Sequence, residues 1–125
     1  MNRESFQPEG VAVPGAPYSP VVASGDLVVT AGQVGFDEQG RLVGDGIREQ
    51  TRQTLVNLER CLAAAGCSLG DVVKVTTFIA DLGDIEGYNE VYASVFESPY
   101  PARSTVQVGL PPGLLVEIEA TARRG

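Results

Sequence analysis

Apolar residues alternate in some stretches of this chain and recur every three or four positions in others, and that contrast divides it into strands and helices. Val21-Val22-Ala23 and Leu27-Val28-Val29-Thr30-Ala31 flank the turn signal Ser24-Gly25-Asp26 and predict a hairpin. Asp37-Glu38-Gln39-Gly40 is a second turn signal, after which Arg41-Leu42-Val43 reads as continuing strand. From about Gly46 the period changes: Ile47, Thr51, Leu55, Leu58, Leu62 and Ala65 fall on one helical stripe, and Gly66 sits where a helix C′ glycine belongs. Asp71 to Ala80 carries little polar alternation and predicts a central strand covered on both faces. Asp84 is placed to N-cap a second helix reaching about Phe96, with Ile85, Asn89, Tyr92 and Phe96 on one stripe and Tyr88 and Val95 adding apolar surface. Pro99 and Pro101 end that helix, and two strands finish the chain.

The order strands, helix, strand, helix, strands predicts a single α+β domain over residues 1–125, a mixed sheet with both helices on one face. The other face is then left open. Val28, Val75, Thr77, Val106 and Ile118 are expected to give it apolar area, and a large apolar face predicts association into a homo-oligomer.

Composition narrows the chemistry. A net charge of −7 gives no basic face for phosphates, which argues against a nucleic-acid partner. No apolar run approaches the roughly 18 residues of a membrane span, and the start of the chain lacks a secretory apolar core, so no membrane partner and a cytoplasmic location are expected. There is no histidine, which removes the commonest general base, the nucleophile triads that use it and most catalytic zinc sites. Cys61 and Cys67 read as two buried free thiols.

The residues best placed for chemistry lie near the end of the chain. On a strand, Arg103, Thr105 and Gln107 point one way and Ser104, Val106 and Val108 the other, while Glu117 and Glu119 share a face opposite Val116, Ile118 and Ala120. Arg103 offers a planar fork matched to a substrate carboxylate. It equally suits a cross-strand ion pair with Glu117 or Glu119, and pattern alone favours the pair because structural pairs outnumber sites. A glutamate here can position or activate a water; a nearby arginine would lower its pKa and burial would raise it. Tyr18, in a loop-like stretch, has a hydroxyl that could close a polar pocket. Gly32, with Gln33 at the end of a strand, could allow close backbone approach to a ligand, though such a glycine is more often a turn or bulge.

Taken in order, Ala16-Pro17-Tyr18-Ser19, Thr30-Ala31-Gly32-Gln33, Thr54 with Asn57-Leu58, Ala65-Gly66, Val72-Val73-Lys74 with Thr76 and Phe78, Asp81, Asn89, Tyr92, Phe96, Pro101-Ala102-Arg103, Leu110-Pro111 and Val116-Glu117-Ile118-Glu119-Ala120 resemble the RidA (YjgF, L-PSP) family of reactive-intermediate deaminases over almost the whole chain. The resemblance implies a chorismate-mutase-like fold and a homotrimer with a barrel-like centre and sites between subunits. It implies hydrolysis of 2-imino acids, such as 2-iminobutanoate and 2-iminopropanoate, to 2-oxo acids and ammonia without metal or cofactor. It places the family's carboxylate-binding arginine on Arg103, its water-handling glutamate on Glu117, its site tyrosine on Tyr18 and its helix asparagine on Asn89, with Ala31, Gly32 and Thr105 lining the substrate pocket. The chain departs from the pattern in having Ala31 where the best-studied deaminases have serine, Thr105 where they often have cysteine, and one residue fewer between Val108 and Leu110. Two other functions stay open beside the deaminase: a non-catalytic small-carboxylate-binding or chaperone-like trimer, favoured by Ala31 and Thr105, and a ribonuclease or translation inhibitor, disfavoured by the charge and the lack of histidine.

Overall fold

The computed structural model describes residues 2–125. Six strands form one mixed sheet: β1 (Glu4–Phe6), β2 (Val21–Ser24), β3 (Leu27–Thr30), β4 (Val72–Ile79), β5 (Ala102–Gln107) and β6 (Val116–Arg123), in the spatial order β1-β2-β3-β6-β4-β5. Every neighbouring pair is antiparallel except β4 and β5. That parallel pair needs a crossover, supplied by helix α2 (Ile85–Val95). Helix α1 (Ile47–Ala64) connects β3 to β4.

Each helix forms where its apolar stripe meets the sheet. On α1 the stripe from Ile47 to Leu62, continued by Ala65, is buried as predicted, and Gly66 follows in the left-handed region at φ +82°. Tyr88, Val91 and Tyr92 bury one side of α2. The two helices approach closely at Gly87, where an added Cβ would stand 2.8 Å from Cγ2 of Ile47. Between α1 and the sheet, the fully buried Gln50 donates to the carbonyls of Gly44 and Gly113 and accepts from the backbone N–H of Leu115. One side chain thereby fixes the loop before α1 and the loop that leads into β6. Neither loop has a sheet partner for those backbone groups, and buried without one each would cost roughly 1–3 kcal/mol.

The α+β architecture with both helices on one face is as the sequence predicts; several details differ. Val28, Val75, Thr77 and Ile118 do not lie on the open face: each is 0% exposed beneath the helices. Only Val106 of that set is on the open side, which is built instead from Leu27 and Val29 of β3, Val73 and Phe78 of β4, and Glu117 and Glu119 of β6. Alternation cannot tell one face from the other when both are rich in apolar residues. β4 is central in the sheet, yet only one of its faces is covered within the chain, and Val73 stands at a bulge that shifts its register with β6. Arg41 to Val43 forms no strand; a lone bridge joins Phe36 to Leu42. Asp84 precedes α2 without capping it through its side chain, while Asp81 accepts from the backbone N–H of Gly83 to close the short 3-10 turn Leu82–Asp84. The edge strand β1 is an element the pattern did not predict, its Glu4-Ser5-Phe6 having no β-branched residue.

Candidate active site

Register decides what the last two strands can do together. They are consecutive in the chain, but β4 lies between them in the sheet. Val75 pairs with Arg103 on one side and Ala120 on the other; Phe78 pairs with Val106 and Glu117. Paired residues share a face and successive residues alternate. Arg103 and Thr105 therefore point to the helix side, and Glu117 and Glu119 point to the open side. The cross-strand ion pair that the pattern favoured does not form. Among the described residues the ion pairs are Arg48 with Glu90, Arg60 with Glu38, Arg123 with Asp26, and Arg124 with Glu4, all with solvent-exposed partners.

On the helix side, Arg103 is exposed and rests against aromatic rings of α2. Its Cζ is 5.1 Å from the centroid of Tyr88 and 4.7 Å from that of Tyr92. Beside it opens a cavity of about 310 Å³ lined by Asn89, Tyr92, Ala93, Tyr100, Pro101 and Arg103. Asn89 reaches it because it sits on the exposed side of α2, one turn before Ala93. Thr105 is across from Thr77, and its Oγ1 is buried without a hydrogen-bond partner. Burial pushes the Tyr92 hydroxyl pKa up to about 12, helped by nearby Tyr88 and opposed by Arg103, so it stays protonated. This half-site is a fixed cation above an aromatic floor, with an amide alongside. It suits a small planar carboxylate.

The Glu117 half lies on the open side. Beyond β3 the chain continues as a bridge in which Gln33 and Ile118 exchange backbone hydrogen bonds of 2.8 and 3.0 Å. Gly32 is thereby laid against the Glu117 side chain, and a Cβ at that position would collide with the carboxylate. The sequence left Gly32 open to close approach by a ligand; in the structure it is the Glu117 side chain that lies against its backbone. Ala31, held by its N–H to the Pro20 carbonyl at 2.8 Å, precedes it, and Tyr18 stands 58% exposed on the adjoining loop. Tyr18, Gly32 and Gln33 line a separate cavity of about 240 Å³ that reaches in to Asn57. Burial, and then the like charge of Glu119, raise the Glu117 pKa. Of the opposed influences weighed from sequence, burial prevails; Arg103 is on the far face. Among the described residues no cluster of three or more histidine, cysteine, aspartate or glutamate side chains is arranged to hold a metal. Cys61 and Cys67 are free and buried.

The structure thus gathers Arg103, Asn89 and Thr105 on the helix side and brings Gly32, with Ala31 before it, against Glu117 on the open side, while Tyr18 shares a cavity with Gly32 and Asn57. Sequence reasoning missed the part Tyr88, Tyr92 and Thr77 play around Arg103. The available signal was a hydroxyl, Thr77, between Val75 and Ile79 on one face of the central strand, with tyrosines spaced four apart on the helix that follows.

The family model described as Endoribonuclease L-PSP matches residues 10–124. The chain belongs to this family, known also as RidA. The RidA-family chain is 43% identical over 116 residues to the human 2-iminobutanoate/2-iminopropanoate deaminase, covering 90% of this chain and 85% of the human one. It is 43% identical over 122 residues to a RutC family protein of Pyrococcus horikoshii, covering 96% and 97% of the two chains. The fold matches crystal structures of RidA from an Antarctic Psychrobacter (TM-score 0.90, 38% identity, 96% and 98% of the chains covered) and of E. coli TdcF with bound serine (TM-score 0.91, 37% identity, 98% and 99% covered). No described helix of this RidA-family chain is long and apolar enough to cross a membrane.

Proposed function

We propose that the protein is a homotrimeric imine deaminase that hydrolyses 2-imino acids of the 2-iminobutanoate and 2-iminopropanoate class to 2-oxo acids and ammonia, without metal or cofactor. The observation that carries this reading is the division of the site. An exposed arginine with no carboxylate partner among the described residues lies on one face of the sheet, and a half-buried glutamate with a raised pKa on the other. One copy cannot bring them to one ligand, but a neighbouring copy whose own open face meets the first along its β5 edge can add a Glu117 to the Arg103 side. The exposed apolar residues Leu27, Val29, Val73 and Val106 give that open face a reason to be covered. The human relative's name supports the reaction class, and the serine bound to TdcF supports a small α-amino or α-imino acid as ligand.

In this reading Arg103 binds the substrate carboxylate through its fork, and Asn89 and Thr105 flank the rest of the molecule. Holding the C2 carbon beside a water turns a bimolecular addition into a nearly unimolecular one. Glu117 of the second copy takes a proton from the water as its oxygen bonds to C2 and the C=N electrons pass to nitrogen. The proton is returned to that nitrogen to give a carbinolamine; Glu117 then takes the hydroxyl proton and passes it to the same nitrogen as the C–N bond breaks, ammonia leaves, and the oxygen closes the C=O of the 2-oxo acid. The raised pKa suits a group that must both take and return a proton near neutrality. The dehydratase-coupled assay tests this: an imine is generated from threonine by a threonine dehydratase and release of 2-oxo acid is followed. Arg103→Ala should lower kcat/KM by about 100-fold or more, the loss expected when two charge-assisted hydrogen bonds go. Unchanged hydrolysis in that variant sinks the proposal. A wild type that is thermally stabilised by 2-oxobutyrate yet turns over no imine would make it a carboxylate-binding trimer instead.

A further inference from the structure

The two rings beneath Arg103 do more than fill the space between α2 and the sheet. Tyr88 and Tyr92 are one helical turn apart, with centroids separated by 5.6 Å and planes inclined by 51°. The guanidinium carbon at 5.1 and 4.7 Å from those centroids completes a compact triangle, so the cation sits in the notch between two ring faces. Both rings are themselves fixed. Tyr88 is 0% exposed, and its hydroxyl shares a hydrogen bond with Thr77, the residue of β4 that pairs with Thr105 of the arginine's own strand. Tyr92 stacks on the buried Phe96, with centroids 4.5 Å apart and planes 29° apart.

We propose that Tyr88 and Tyr92 are positioning residues: their ring faces hold the Arg103 guanidinium in its ligand-binding orientation and so set the affinity for the substrate carboxylate. The inference rests on the reading of Arg103 as the carboxylate anchor. A free arginine side chain loses rotamer freedom when it is fixed. A carboxylate partner would fix it too, but would occupy the fork that the ligand needs. Ring faces attract the cation through their quadrupole and leave the site without a competing acid. Much of the ordering then precedes ligand binding, which tightens binding without any contact between the tyrosines and the reacting atoms. Thr77 belongs to the same device, because its hydrogen bond keeps the Tyr88 ring from rotating away.

The test varies the ring's charge while keeping its shape. The Tyr92 hydroxyl is buried with no hydrogen-bond partner, so Tyr92→Phe leaves the fold with no orphaned group. From Tyr92→Phe, ring-fluorinated phenylalanine analogues at the same position drain the negative face stepwise. Binding of 2-oxobutyrate to the full-length protein is measured by calorimetry, with Arg103→Ala as the control. Tyr92→Phe should bind within about twofold of wild type, Kd should rise with each added fluorine, and Tyr92→Leu should bind about tenfold more weakly, the scale of a cation–π contact. In the imine assay KM should rise by the same factors while kcat holds. A Kd that is flat across the fluorinated series, with binding still dependent on Arg103, overturns the positioning role and leaves the deaminase reading standing. A wild type that does not bind 2-oxobutyrate, or an Arg103→Ala variant that binds it equally well, overturns both.

Discussion

The two sides of the sheet hold their charges by opposite means. On the helix side Arg103 is exposed, yet it is braced by buried rings and makes no ion pair among the described residues. On the open side Glu117 is half-buried, pressed against the bare backbone of Gly32, with a second carboxylate, Glu119, two residues away on the same face. The first arrangement keeps a charge aimed. The second keeps a charge poorly solvated and therefore willing to take a proton. A ligand anchor needs the former and a proton carrier the latter, so the difference between the two sides is itself an argument for how the labour is divided.

The sharpest way to break this comparison is to disable each side in a different chain. Glu117→Gln should lower kcat by about 10²- to 10⁴-fold, as loss of an acid–base group does. Arg103→Ala should lose about 100-fold or more in kcat/KM, as described above. Unfolded together and refolded as a 1:1 mixture, the two inactive chains should recover about a quarter of wild-type activity, because random closed assembly joins an intact arginine to an intact glutamate at about one site in four. No recovery in mixtures shown to contain both chains would mean that one copy supplies both groups.

A milder perturbation acts on the open side alone. Gly32→Ala puts a methyl group where the Glu117 carboxylate now lies, and the carboxylate is the flexible end of its side chain, so the fold should tolerate the change. The expected result is a loss of kcat of about tenfold, the scale of a modest misplacement of a reacting group, with 2-oxobutyrate affinity unchanged. A change in affinity with kcat intact would show that Gly32 serves the anchor instead.

The smallest effect concerns stability. The folded-state pKa of Glu117 is raised, first by burial and then by Glu119. Below the ordinary carboxylate range both folded and unfolded chains are protonated there, and no penalty exists. As pH rises through the folded pKa the carboxylate ionises against its surroundings, and the penalty reaches its full size. Glu117→Gln lacks that penalty. Its melting temperature relative to wild type should therefore be equal in acid and higher at neutral pH, a difference that paired melting curves will read. A difference that is constant with pH would mean that Glu117 is well solvated in the assembled protein.

Much of this contrast was legible before any coordinates. The alternation along β5 and β6 gave the correct partners on each face, and the α1 stripe, the Gly66 terminus and the order of elements hold as read. What failed was an inference about neighbours. Strands consecutive in sequence usually lie side by side, which made an Arg103–Glu117 pair attractive. Here the parallel crossover through α2 inserts β4 between them, and nothing local to either strand encodes that insertion. The open face was assigned to the wrong valines for a related reason: β4 carries apolar residues on both faces, and the polar Lys74 and Thr76 of its open face are offset in the pattern by Thr77, a polar residue buried on the other. The bed of Arg103 was hidden because Tyr88 and Tyr92 count as ordinary apolar positions in a helical period, and only their distance to the cation gives them a second meaning.

The parallel crossover has a consequence for how such a protein can change over generations. Thr77, Tyr88, Tyr92 and Arg103 all fall within the continuous stretch from β4 through α2 to β5. One exchange of that segment between related genes would carry a cation together with the whole of its support. The glutamate has no such package, because Gly32 and Glu117 come from distant parts of the chain and meet only in the folded sheet. Recognition of the carboxylate can thus be inherited as a cassette, whereas the group that moves protons must be re-fitted one residue at a time.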